Sequence, residues 1–300
     1  MYNFTNTTKG TPIKTPSLLE QFRSFYTQNQ PNTLEQAVEY FSVFGGLGFE
    51  VDMDEDLEIL IDDLILDNYD SLHKDITEVT EADPLLHSVL SGVALGDRRS
   101  HSAYKRARVN GEDGDRAIAL GIEKGILSKE SPKNNSYLQE TPLSPKLSFA
   151  IPFVRFWFAF VSPLFKGIKE GDYEEIHTKF ANHRQEFVTF IYEELCKELL
   201  KLSFKADPIT EIGSFWNSDI DIELYAKTAS GKKIAGIVRT SKQKMKKSEL
   251  TKLRENCESA NLNIDIFVLF NKNGFSNELK NLKGEDLKLF TLKNFKSLVE

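Results

Sequence analysis

The spacing of apolar residues changes once along this chain, and that change restricts the fold more than any other feature. From Ser17 to about residue 206 they recur every three or four positions, as in LLEQFRSFYTQ and LEQAVEYFSVFGG, which is the spacing of a helix face. From Ile209 onward the period is two. SDIDIELYAK and KKIAGIVRT alternate and are joined by the turn TASGKK, which predicts a hairpin. KSELTKLRENCESANL then reads as a helix, NIDIFVLFNKNGF as a buried strand, SNELKNLK as a short helix and LKLFTL as a last strand. The order α-β-β-α-β-α-β predicts a mixed sheet flanked by helices, α/β in itself and α+β for the whole chain.

A length of 300 residues suggests two or three domains. Residues 1–16 are rich in Thr, Asn, Gly and Pro and read as a flexible tail; residues 17–82 are helical, with Gly45 and Gly46 as a stop. LEILIDDLILDNYDSLHKDI continues the helical spacing, its acids forming a solvated face. In residues 83–148, Asp83-Pro84 opens one helix, RRSHSAYKRARV makes a second, and DRAIALGIEKG a third, ahead of a strand-prone segment. That is the outline of a winged helix. Its third helix is hardly basic, and the cations Arg98, Arg99, Lys105, Arg106 and Arg108 lie one helix earlier, so DNA docking and protein docking are equal readings. Residues 149–206 form a helical connector and residues 207–300 the sheet domain.

The connector opens with FAIPFVRFWFAFVSPLF, residues 149–165, which holds Arg155 and two prolines. It is shorter than the roughly 20 apolar residues a bilayer span needs, so it predicts a buried helix, closed by Pro163, and no membrane association. A net charge of −7 argues against uniform coating of nucleic acid, yet Lys227 to Arg254 is locally basic. Cys196 and Cys257 have no ligand or disulfide spacing, and MYNFTNTTKG does not read as a secretory signal, so a reducing cytoplasm is expected. The five histidines show no ligand spacing, and no GxxxxGK run occurs, so nucleotide chemistry is not expected.

SDIDIEL carries the most chemistry. Alternation puts Asp219, Asp221 and Glu223 on one face and Ile220, Ile222 and Leu224 on the other. Three neighbouring carboxylates repel unless water, a base or a divalent cation compensates; taken alone, a solvent-facing edge strand is the simpler explanation.

Several features together resemble the nuclease-like C-terminal domain, of the PD-(D/E)XK superfamily and of unknown function, found in archaeal-type P-loop ATPases. They are the helical pair Tyr192-Glu193, a loop with Trp216, the strand with Asp219 and Asp221, a Gly-centred strand, NKNGF, and FVRFWFAFVSP upstream. The resemblance covers residues 83–300 and implies a restriction-endonuclease-like sheet behind a winged helix, without the ATPase domain. Active members read Gly-Glu-x-Lys where this chain has Gly236-Ile237-Val238-Arg239. The missing acid removes a Mg²⁺ ligand, and arginine is a poor proton acceptor. Were the site active, Asp221, Glu223 and Asp219 would hold Mg²⁺, while Asp221, Glu193, Arg239 and Lys242 would act in catalysis. Lys244, Lys246 and Lys247 beside it read as phosphate contacts or as a solvated face. Three roles stay open: a DNA-binding protein that no longer cuts double-stranded DNA, a Mg²⁺-dependent nuclease, and a non-catalytic partner of a separate ATPase.

Overall fold

A computed structural model describes residues 15–133 and 143–300. Most of the expected flexible tail and part of the segment expected to complete the winged helix lie outside the described residues. The chain divides into two compact units, Met1–Lys129 with Ser144–Val188, and Glu130–Leu143 with Thr189–Glu300.

The first unit begins with α1 (Leu18–Asn29), closed by a capping box in which Ser17 accepts from the Glu20 amide and Glu20 accepts from that of Ser17. α2 (Leu34–Phe44) stops at Gly45. The next predicted helix is interrupted: α3 (Leu57–Ile61) widens into a π-helical turn, Asp62–Leu66, before α4 (Tyr69–Val79). The break falls where the Asn68 side chain donates to the Asp63 carbonyl at 2.7 Å, a local bond that competes with the helical ladder.

α5 (Pro84–Ala94), α6 (Ser100–Ala107) and α7 (Gly111–Glu123) lead into β1 (Leu127–Glu130) and β2 (Lys146–Phe149), which pair as a two-stranded sheet. Three helices followed by a two-stranded sheet is the observed order. Gly92 lets α5 and α6 meet: a Cβ there would lie 2.6 Å from the Ala103 carbonyl oxygen.

The aromatic run forms α8 (Pro152–Phe156), a π-helical turn (Trp157–Val161) and a 3₁₀ turn (Ser162–Leu164), and α9 (Phe165–Glu170) follows. Pro163 lacks the N–H that would continue the regular ladder, so it loosens the helix rather than ending it. Among the described residues no helix is long and apolar enough to cross a membrane. Phe153, Phe156, Trp157, Phe158 and Phe160 are buried, and Phe156, Phe160, Phe180 and Phe187 meet mainly edge to face at 5.1–6.5 Å. Arg155 lies inside this core. It donates to the carbonyls of Ala94 at 3.0 Å and Phe187 at 2.9 Å, and its guanidinium sits 4.2 Å over the Phe187 ring. α10 (Glu174–Ser203) is a long helix that crosses from the first unit into the second.

The second unit holds a five-stranded sheet in the order of its sequence, β3 (Ile209–Trp216), β4 (Asp221–Thr228), β5 (Lys233–Arg239), β6 (Ile266–Asn271) and β7 (Leu287–Phe290). α11 (Lys247–Ser259) and α12 (Asn277–Asn281) connect the later strands, and α13 (Lys296–Val299) ends the chain. The first three strands run antiparallel and the last three parallel. The mixed sheet is the predicted one with a strand added: ITEIGSFW forms β3, its pattern interrupted by Gly213, and Trp216 ends that strand instead of sitting in a loop. At β3's outer edge, Ser214 donates to the Glu130 carboxylate and accepts from the Lys133 amide, which blunts the edge. Gly236 is forced by β6: a Cβ would come within 2.7 Å of the Val268 carbonyl oxygen.

Two outcomes test this account. Arg155→Met strands two buried carbonyls and should lower the first unit's unfolding free energy by about 3 kcal/mol in a urea titration, with Arg155→Lys intermediate. His87, held below its ordinary value of 6.5 by burial, resists protonation in the fold. Its contribution to stability is therefore full above that value and is lost as pH falls below it. Wild-type Tm should drop more than that of His87→Gln between about pH 7.5 and about pH 5.5.

Candidate functional site

The site lies where β4 leaves β5. Their pairing runs from Lys227–Lys233 to Leu224–Gly236. Beyond it the Glu223 carboxylate accepts from the Val238 amide at 2.8 Å, through Oε2. Its other oxygen, Oε1, takes the Arg239 guanidinium at 2.6 Å, and Arg239 Nε stands 3.4 Å from Glu249 of α11. Burial disfavours the arginine's charge, but Glu223 and Glu249 outweigh it and hold Arg239 above its ordinary pKa.

A bulge explains how Glu223 reaches this position. Gly213 pairs with Tyr225 and Phe215 with Ile222, so Glu223 and Leu224 together oppose Ser214 alone. Strict alternation therefore fails. Ile222 joins Tyr225 in one apolar cluster with Ala235, Ile237 and Leu250, an arrangement that period two forbids. The single acidic face expected for Asp219, Asp221 and Glu223 is not kept by Asp219, which precedes β4, whereas Asp221 and Glu223 stand two apart on the strand where the register shifts. Asp219 belongs to the preceding turn, where Asn217 accepts from its amide and Ser218 donates to its carboxylate. Asp221 begins β4 and is exposed.

Glu193 approaches from α10. It and Glu223 both act on the buried Cys196 thiol, which burial first, then Glu193, and more weakly Glu194 and Glu223, push well above its ordinary pKa. Thr189 on the same helix shares a 2.7 Å hydrogen bond with Thr240 after β5. The structure thus pairs Glu223 directly with Arg239, while Glu193 and Glu223 share an electrostatic influence on Cys196. Sequence reasoning missed Glu249, Thr189, Thr240 and Cys196. Only Glu249 left a trace, as an acid in the first turn of the helix after the arginine.

The side chains present do not fit Mg²⁺. Glu223 is committed to a guanidinium and a backbone amide, and Ile237 supplies no oxygen where a second-strand acid would be needed. Among the described residues no group of three or more His, Cys, Asp or Glu is arranged to hold a metal ion.

Next to the pair, Lys242, Lys244, Lys246 and Lys247 are exposed while Met245 between them is buried. The loop is fixed from both sides: the Met245 amide donates to Gly274 at 3.0 Å, Asn271 to the Gln243 carbonyl at 3.1 Å, and Asn273 to that of Ser241 at 2.8 Å. In the first unit Arg106 is consumed internally, donating to Leu95 at 3.0 Å and to Asp97 at 3.0 Å. Arg99 occupies the N-cap of α6, Arg98 is left-handed (φ 60°), and Lys105 and Arg108 are exposed.

Fold and site together define an α+β protein whose mixed sheet carries a carboxylate–guanidinium pair at the parting of two strands. Residues 157–252, about a third of the chain, match the model of a family described as archaea bacterial proteins of unknown function, DUF234. No curated protein and no solved structure matches the chain.

Because both partners of the pair are about one third exposed, solvent screens it and its coupling should be modest. A double-mutant cycle of Glu223→Gln and Arg239→Gln should return about 1 kcal/mol. Glu223→Ala should in addition speed hydrogen exchange at the Val238 amide.

Proposed function

We propose that the protein is a nucleic-acid-associated binding protein whose sheet unit is a PD-(D/E)XK-like module that grips phosphate without cutting it. The observation that carries this reading is the Arg239–Glu223 pair. A nuclease of this type needs that carboxylate free for a cation, whereas here a guanidinium neutralises it. Exposed lysines on the adjoining loop supply the positive charge that backbone binding requires. The resemblance of residues 83–300 to the nuclease-like domain of archaeal-type ATPases points the same way. Free, buried Cys196 and Cys257 suit a cytoplasmic setting.

A second reading has its own support. The third helix of the winged-helix element, α7, exposes Glu112, Asp115, Glu123 and Ile122 together with Arg116, which lies 3.2 Å from Asp113, a net acidic surface that favours a protein partner such as a separate ATPase.

Incubated with plasmid and single-stranded DNA in Mg²⁺ or Mn²⁺, the protein should leave no more nicks than Asp221→Ala, while binding labelled duplex more weakly as salt rises. Cleavage that Asp221→Ala abolishes would restore the enzyme reading. Retention of a separate ATPase with no affinity for nucleic acid would favour the second.

A further inference from the structure

We infer that the nucleic-acid surface is the fixed loop of residues 241–247, and that it reads backbone charge alone, without base recognition and without α7 entering a groove. This rests on the binding role proposed above and names the surface and the kind of contact.

Three observations converge on the loop. Its four lysines lie within six positions, and the buried Met245 divides them so that Lys244 and Lys246 project outward on either side of the anchor. Lys246 is extended, with φ −99° and ψ 161°. The bonds from Asn271, Asn273 and Gly274 fix the backbone beforehand, so little loop ordering is left to oppose binding.

Several other cations of the second unit are engaged elsewhere, and exposed lysines such as Lys280, Lys283 and Lys293 are not gathered on one short loop. Arg239 faces two glutamates, Lys197 lies 2.9 Å from Glu194 and 3.6 Å from Glu130, and Arg254 sits 5.1 Å over the Phe267 ring. In the winged-helix element Arg106 holds α5 carbonyls and Asp97, and Arg116 of α7 lies 3.2 Å from Asp113. Lysine ammonium groups are point charges, and the loop carries no arginine fork for bidentate recognition, so contacts through them are expected to follow phosphate density more than sequence.

The experiment compares the full chain with a variant carrying Lys→Gln at 242, 244, 246 and 247, and with a charge-matched control carrying Lys→Gln at 280, 283, 293 and 296. Binding of two labelled duplexes of unrelated sequence is followed by fluorescence anisotropy over a series of salt concentrations. Four phosphate contacts predict a slope of log K against log salt of about −3.6 for wild type and control, falling toward zero in the loop variant. Both duplexes should bind equally, and melting by circular dichroism should show the loop variant folded. Wild-type slope in the loop variant, or preference for one duplex, would overturn the inference while leaving the binding role standing, as would loss of affinity from Lys105→Gln with Arg108→Gln. Absence of binding by every form, wild type included, would overturn both.

Discussion

A buried backbone donor needs an acceptor, and at the place where β4 parts from β5 that requirement organises the second unit's candidate site. The ladder ends at Leu224 and Gly236, and the Val238 amide is met by a side chain, Glu223. A half-buried carboxylate in that position needs charge compensation, which Arg239 provides, and Arg239 in turn engages Glu249 on α11. One carboxylate, brought there by the bulge, thus meets a backbone amide, forms an ion pair and links sheet to helix through Arg239. The carboxylate of Glu223 is therefore already used by the fold.

The first unit meets a comparable requirement with Arg155. A guanidinium inside an aromatic core is costly unless its donors are used, and here it closes carbonyls of two helices and lies on the face of Phe187. In both units an arginine sits among elements that hydrophobic packing alone would leave with unpaired polar groups. Arginine suits these positions because its donors are fixed in a plane and its charge persists at any working pH.

Charge is divided by position more than by amount. The net charge is −7, yet four exposed lysines occupy one short loop, and α7 presents acids where a groove-reading helix would present cations. A repelling helix and an attracting loop make opposite demands on a partner. That contrast separates the two readings of function more sharply than composition does.

The sequence alone determined the broad plan. Periodicity near 3.6 and then near 2 fixed helices ahead of a mixed sheet, Asp83-Pro84 and Gly45 marked helix ends, and SDIDIEL with IAGIVR located the hairpin at the centre of the site. Local signals suffice there because they act between near neighbours. Tertiary structure decided the rest: that Glu223 binds Arg239, that Thr189 of α10 meets Thr240 after β5, that Arg106 is a brace, and that ITEIGSFW is an edge strand. A bulge of one residue reverses which face a side chain takes, and a half-buried charge selects its partner from whatever the fold brings near. Neither is written in the spacing of a single strand.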